Sequence, residues 1–407
     1  MAHACRSRQG VITISEAGLT FSFLDAVEIG AIFGSVCSLG YYGICLASAA
    51  RFIIHRTGEG ARPTPAFTPP VSILKPLRGT GPEMYESFRS HCLQNYPDYE
   101  IIFGVGDEND AAIPLVERLK TEFPEHSIRL IYCGKNLGAN VKVSNLAQMV
   151  REARHEYLIV NDSDIRVGPD YLRRILGPFN DPNTGLVTCL YRGVANTTLG
   201  SRLESLGITD FCAGVLVAQT VEGGIRFGLG STLAFRRREL AAIGGFETLV
   251  DYLADDYQIG SLIAGLGQHV QLSNEVVETI LPHYTARGFF DHQLRWARTV
   301  RDLRRWGYLG LGVTFGFPWA VLALITAGGA RWVWALLALV AAERFAVAIV
   351  IGRFVLEDRQ AGKLLALVPL RDLVAMLVWL ASFAGHKINW REQEFVLRRG
   401  KLMRSRS

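Results

Sequence analysis

The seven cysteines of this 407-residue chain include no C-x-x-C pair, which excludes the usual structural zinc spacing, and their scatter excludes a disulfide framework. Cys5, Cys37, Cys45, Cys92, Cys133, Cys189 and Cys212 are therefore expected as reduced, mostly buried thiols. A strong charge of either sign is also lacking. With 43 basic against 38 acidic residues the net charge is +5, too weak to argue for nucleic acid and compatible with anionic lipid. No internal repeat or low-complexity tract is found. An apolar share of 49% excludes a disordered chain.

Long apolar runs, in contrast, are abundant. Residues Ile29 to Ala50 carry no charge and are followed by Arg51, His55 and Arg56. A membrane-spanning helix needs about 20 such residues, and a signal peptide has an apolar region of only about 7–15. Trp306 to Ala330 is a second uncharged run. Trp332–Ala342 with Phe345–Gly352 makes a third, interrupted by Glu343 and Arg344, which are expected in interhelical contacts. Leu364–Leu370 with Leu373–Gly385 makes a fourth, broken by Arg371 and Asp372. The basic residues after the first run place the following domain in the cytoplasm by the positive-inside rule, with Arg6 and Arg8 weakly opposed. Spans are expected at about 308–328 and 331–352. The fourth run is expected to be interfacial or re-entrant, because Arg371 and Asp372 would sit near its centre at a few kcal/mol. That leaves the basic tail of 386–407 in the cytoplasm.

The polar middle follows a proline-rich linker, Arg62 to Pro70, which favours a stiff, extended path. Strands are expected at 71–74, 100–105, 128–132, 157–160 and 185–190, with helices at 82–93, 111–123, 140–154 and 169–176 between them. Such alternation predicts an α/β domain with a mostly parallel sheet and ligands at the C-terminal strand ends.

The acids stand at those ends. Asp107 closes the second strand, and Asp162 and Asp164 close the fourth. If the extended conformation persists, residues two apart share a side, and two converging carboxylates suit Mg2+ or Mn2+ completed by diphosphate oxygens. Asp255 and Asp256 stand together in an apolar segment, where one could be a general base and the other a helix N-terminal acid. His292, Arg295 and Trp296 share one helical face, and Arg suits phosphate. Arg295, Arg298, Arg301 and Arg305 beside the Trp296–Val300–Leu303 stripe also describe an amphipathic helix at the lipid surface.

In this order, Asp107, Asp162-Ser-Asp164, Ala254-Asp-Asp-Tyr257 and His292-x-x-Arg-Trp296 resemble the membrane glycosyltransferases of family 2 type, closest to the ceramide glucosyltransferase branch, family 21. The likeness includes Leu74-Lys-Pro-Leu77 and Gly138-Ala-Asn-Val-Lys-Val-Ser-Asn-Leu146, and it runs from about residue 71 to 306. The segments Leu186 to Gly193 and His292 to Arg298 are most similar to the bacterial hopanoid-biosynthesis glycosyltransferases, which transfer N-acetylglucosamine to bacteriohopanetetrol.

The resemblance implies a GT-A fold (Rossmann-like), an inverting mechanism, a UDP-sugar donor of glucose or N-acetylglucosamine, and a membrane-lipid acceptor. It implies a multi-pass protein of the bacterial inner membrane with no nucleic-acid or protein partner. By it, Asp107 contacts uridine, Asp162 and Asp164 hold the metal and diphosphate, and Lys142 is a further donor contact. Asp256 is then the base, and Arg295 and Trp296 close the site. The chain departs from the family's pattern at His292, where Gln or Arg is usual, and at Asp255, where Glu is usual. The second departure leaves open which Asp is the base. The alternative is a processive polysaccharide synthase of family 2 type, whose channel would need more membrane helices. A third is a membrane-tethered scaffold on an inactive GT-A fold, which would lack the acids that are present here. The division expected is 1–28, a membrane helix at 29–54, the GT-A domain at 63–291, an interfacial helix at 292–306, a C-terminal membrane region at 307–385 and the tail.

Overall fold

The structure is a computed structural model that describes residues 22–60, 67–390 and 393–404. The expectations resting on Cys5, Arg6, Arg8, Arg62, Arg391 and Arg406 fall outside these residues. The chain enters through α1 (Phe23–Gly60), a helix of 38 residues. At 1.5 Å per residue it is about 57 Å long, so it outruns the roughly 30 Å of a hydrocarbon core.

The middle of the chain then alternates as its periodicity predicts: β1 (Val71–Leu77), α2 (Met84–Cys92), β2 (Tyr99–Val105), α3 (Ile113–Glu122), β3 (Ser127–Tyr132), α4 (Val141–Glu152) and β4 (Tyr157–Val160). After these come the short β5 (Ile165–Arg166), α5 (Tyr171–Leu176), β6 (Thr184–Val194), α6 (Leu199–Val221), β7 (Leu233–Arg236), α7 (Arg237–Ala242), α8 (Asp255–Gly265) and β8 (His269–Ile280). They make one eight-stranded sheet in the order β3-β2-β1-β4-β7-β6-β8-β5. β3, β2, β1 and β4 run parallel, as do β6 and β8, whereas β7 and β5 pair antiparallel.

Alternation along the strands builds the two cores. Ile73, Ile101, Phe103 and Ile159 face one side with Phe88 and Tyr171, while Leu74, Ile102, Leu158 and Val160 face the other with Leu146 and Cys212. The second core continues without a break into α1 and the C-terminal helices through Tyr42, Cys45, Val347 and Ile351. The sheet is thus bolted to the membrane region rather than tethered to it. Cys45, Cys92, Cys133, Cys189 and Cys212 are buried free thiols and Cys37 is half-buried.

The C-terminal half comprises α9 (Ala286–Leu303), α10 (Arg305–Gly310), α11 (Gly316–Thr326), α12 (Arg331–Ile349), α13 (Ala361–Leu364) and α14 (Val368–Ser382). Among the described residues, three helical stretches are long and apolar enough to cross a membrane: Phe23–Gly58, Arg331–Val355 and Ala361–Ser382. The segment expected as a span at 308–328 is a pair of helices, Arg305–Thr314 and Gly316–Thr326, bent by 53°, which suits a broken span or a re-entrant loop. Tyr42 of α1 covers the break, accepting from Gly316 N and donating to Thr314 O, each at 3.1 Å. The segment read as interfacial, 364–385, forms a continuous apolar helix. Its charges are neutralised rather than exposed, because Arg344 of α12 donates to both oxygens of Asp372 at 2.7–3.0 Å. Arg344 also reaches Asp210 of α6 at 2.9 Å.

The basic tail is structured. Lys387–Trp390, Gln393–Arg398 and Lys401–Arg404 form β9, β10 and β11 of an antiparallel sheet, order β11-β10-β9. Its buried Ile388, Phe395 and Leu402 pack on Ala139 and Leu253. Leu253 N donates to Gly400 O and Leu402 N to Asp251 O, at 3.0 and 2.7 Å. The sheet therefore clasps the loop that leads into α8.

Candidate active site

The loops at the C-terminal ends of β1, β2 and β4 share one edge of the sheet, and they carry most of the expected acids. Asp107 is exposed two residues beyond β2, its Oδ1 accepting from Asn109 N at 2.9 Å. Among the described residues it makes no side-chain bond to the other acids. The strand does not persist through Asp162-Ser-Asp164. Ile165 N returns to Asp162 O at 3.3 Å, closing a turn, so the two carboxylates are aimed by that turn and not by strand alternation. Asp164 is directed to β8, where Thr279 Oγ1 donates to its Oδ2 at 2.5 Å. Burial and the nearby Asp162 carboxylate raise the Asp164 carboxyl above its ordinary range.

Lys142, in the first turn of α4, ties the acids together. Its Nζ lies 2.8 Å from Asp162 Oδ1 and 3.2 Å from Asp255 Oδ2. Burial alone would lower this ammonium, yet the carboxylates of Asp162, Asp255 and Asp256 outweigh it and hold the group above its ordinary value. Asn140, which caps α4, adds its Nδ2 at 3.5 Å from Asp255 Oδ1. Asp255 is 5% exposed and committed to these two partners.

Asp256 differs from its neighbour. Its Oδ1 accepts from Tyr257 N at 2.8 Å, while Oδ2 accepts no hydrogen bond among the described residues. Burial and the adjacent Asp255 raise this carboxyl from 3.8 to about 6. The loop of Phe227 to Ser231 faces it. A Cβ on Gly230 would stand 3.2 Å from both Asp162 Oδ2 and Asp256 Oδ2, so these two oxygens flank one glycine. The loop comes this close because a Cβ on Gly260 of α8 would lie 2.2 Å from Gly228 N. Phe227 stacks on Tyr257, centroids 5.8 Å apart and planes at 12°.

Sequence reasoning passed over Gly230 and gave no role of its own to Lys75 of the Leu74-Lys-Pro-Leu77 segment. Lys75 is fully buried in β1 and donates to Asp162 O at 3.1 Å, with His91 Nε2 at 3.5 Å. Burial lowers its amine to about 7, partly opposed by Asp164 and Asp162. The signal was present in the sequence as a lysine inside an apolar strand, a placement that requires a partner.

α9 brings the remaining candidates. Arg295 Nη2 lies 3.0 Å from His292 Nδ1, and burial lowers the guanidinium below its ordinary value. Trp296 stands edge-on to Phe211 of α6 at 6.0 Å and 6.2 Å from His292. Two of the other arginines bind backbone carbonyls, while Arg305 is exposed. Arg298 donates to Lys387 O and Ala384 O, and Arg301 to Ser382 O and Gly385 O. They cap the open carbonyls at the end of α14, which fixes α9 against the membrane region.

The profile of Glycosyl transferase family 21 matches residues 30–403. The chain belongs to this family. It is 26% identical over 255 residues to ceramide glucosyltransferase 1 of Caenorhabditis elegans, covering 61% of this chain and 53% of the relative. A ceramide glucosyltransferase of Komagataella phaffii is 32% identical over 122 residues, 29% of this chain and 24% of the relative. The chain thus spans about half the length of the first of these relatives and less of the second. The mannosyltransferase PcManGT from Pyrobaculum calidifontis, solved with GDP-Man and Mn2+, has a TM-score of 0.50 at 20% identity, over 89% of this chain and 98% of that one. This likeness shows the glycosyltransferase fold.

Among the described residues no group of three or more His, Cys, Asp and Glu side chains could by itself hold a metal ion. Asp162 and Asp164 nonetheless fit a divalent ion shared with a substrate. The Asp162 side chain is 41% exposed, and one or two carboxylates plus phosphate oxygens are the usual Mg2+ donor set.

Proposed function

We propose that this protein is an inverting glycosyltransferase that moves glucose or N-acetylglucosamine from a UDP-sugar to a hydroxyl of a membrane lipid, ceramide or a hopanoid polyol. The observation that carries the reading is the free oxygen of Asp256 across Gly230 from Asp162 Oδ2. One carboxylate is fixed by a lysine where a diphosphate would lie, and the other is left open where a hydroxyl would arrive.

In this mechanism Asp256 takes the proton of the acceptor hydroxyl while that oxygen attacks the anomeric carbon. The bond from that carbon to the diphosphate oxygen breaks, and UDP leaves with the electron pair. Asp255, held by Lys142 and Asn140, is already occupied and supplies no base. Asp107 serves the uridine, and Lys142 and Arg295 meet negative charge gathering on the leaving diphosphate. A divalent ion, Mg2+ or Mn2+, held by Asp162 and Asp164 would neutralise part of that charge. Trp296, beside Phe211, walls the path from the membrane helices. The lipid hydroxyl reaches Asp256 along that path without its chains leaving the bilayer, where each exposed CH2 costs about 0.8 kcal/mol. Arg51 and Arg56 at the end of α1 support a catalytic domain on the cytoplasmic face of a bacterial inner membrane.

Protein in nanodiscs should convert UDP-glucose or UDP-N-acetylglucosamine, given ceramide or bacteriohopanetetrol, into a lipid bearing one β-linked sugar, identified by mass and anomeric NMR. A polymeric product, or donor hydrolysis indifferent to lipid, would overturn the proposal.

A further inference from the structure

Behind the cleft, the side chains of α9 continue in an unbroken polar line toward the membrane helices. Glu204 of α6, 7% exposed, sits at its centre. Its Oε1 is 3.3 Å from His292 Nε2, and its Oε2 accepts from Gln293 Nε2 at 2.5 Å. Gln293 Oε1 in turn accepts from Arg371 Nη1 of α14 at 2.8 Å. Arg371 Nε lies 4.0 Å from Asp210 Oδ2, which Arg344 also holds.

Donor and acceptor roles along this line are forced. A guanidinium only donates, so His292 Nδ1 must accept from Arg295. A neutral imidazole then carries its proton on Nε2, which points at the Glu204 carboxylate. The carboxylate takes a proton donor on each oxygen, from His292 and from Gln293. As a device for stability alone this would be a poor choice, since burying a carboxylate costs several kcal/mol before its partners repay it.

We infer that Glu204 is a positioning residue: it locks His292 in the Nε2–H tautomer, and the freed Nδ1 of that ring holds the Arg295 guanidinium at the cleft. The inference rests on the sugar-transfer reading above. Arg371 anchors the line in α14, so the aim of Arg295 is set from inside the membrane region rather than by α9 alone.

The test moves the carboxylate one place along the line. In Glu204→Gln the amide has one oxygen for two donors, so either His292 or Gln293 loses its acceptor. In Glu204→Gln with Gln293→Glu the amide at 204 accepts from His292 and donates to the carboxylate at 293, which still accepts from Arg371. The single change should cut kcat by at least about tenfold, with KM for the UDP-sugar within about threefold. The double change should return kcat to within about threefold of the wild type. In 15N-histidine spectra, the signal lost in His292→Asn should report Nε2–H in the wild type, shift in the single variant and return in the double one.

A double variant as slow as the single one, or a His292 signal indifferent to both changes, overturns the inference. A wild-type protein that moves no sugar overturns the functional reading instead, and the spectra still decide the tautomer lock.

Discussion

Replacing Asp256 by Asn separates the cost of this carboxylate from its use. Burial and Asp255 raise its carboxyl from 3.8 to about 6. At 1.36 kcal/mol per unit, ionising it costs the folded state up to about 3 kcal/mol more than the unfolded chain. The folded state binds this proton more tightly, so the penalty is absent below pH 3.8, grows up to about 6 and is complete above that. Asn carries no charge at any pH. Asp256→Asn should therefore be more stable than the wild type by up to about 3 kcal/mol at pH 8, with the advantage gone near pH 4. Its transfer rate should fall by about 10²–10⁴ while UDP-sugar still binds. In the wild type this carboxyl should pass from mostly protonated to mostly ionised between pH 5 and 7, so turnover should climb by on the order of tenfold. Thermal unfolding in detergent at several pH values, beside initial rates, reads all three. An Asp256→Asn protein less stable than the wild type at pH 8, or a rate flat between pH 5 and 7, would refute the reasoning.

Gly230→Ala should place a methyl group against both Asp162 and Asp256 and lower turnover at least about tenfold, with circular dichroism unchanged; full activity would show that the oxygens need not face each other. Chelation with EDTA should stop transfer and added Mn2+ or Mg2+ should restore it, read as labelled glycolipid; undiminished transfer in chelator removes the metal from Asp162 and Asp164. Arg344→Met should cost about 3–5 kcal/mol by stranding Asp372 and Asp210, measured as a lower unfolding midpoint. Adding Asp372→Leu should recover part of the loss, and a single variant as stable as the wild type would contradict the pairing.

The α/β half was legible because its signals are local. Each expected strand overlaps an observed one, β4 at the same residues, because apolar runs and breakers are written in adjacent positions. The acids could be named for the same reason, since strand ends follow from strand positions. What escaped depends on partners far away in the chain. Glu204 meets His292 across 88 positions of sequence, and nothing periodic announces such a pair. Arg371 and Asp372 were read as a cost to insertion because hydropathy weighs each charge alone, whereas Arg344 lies a helix away. In the C-terminal sheet Phe395 and Leu397 alternate with period two, a strand signal masked by the surrounding basic residues.

The Arg344–Asp372–Asp210 cluster bears on how the protein is made. A helix carrying Arg371 and Asp372 enters a bilayer alone at about 2.5–3.5 kcal/mol per charge. The partners that lower this cost are divided between α12, already in the membrane, and α6, which belongs to the catalytic domain. Stable seating of the last span thus depends on a domain that has already folded on the surface. A chain whose α/β domain misfolds would lose Asp210 from this cluster and hold its final helix through Arg344 and Asp372 alone.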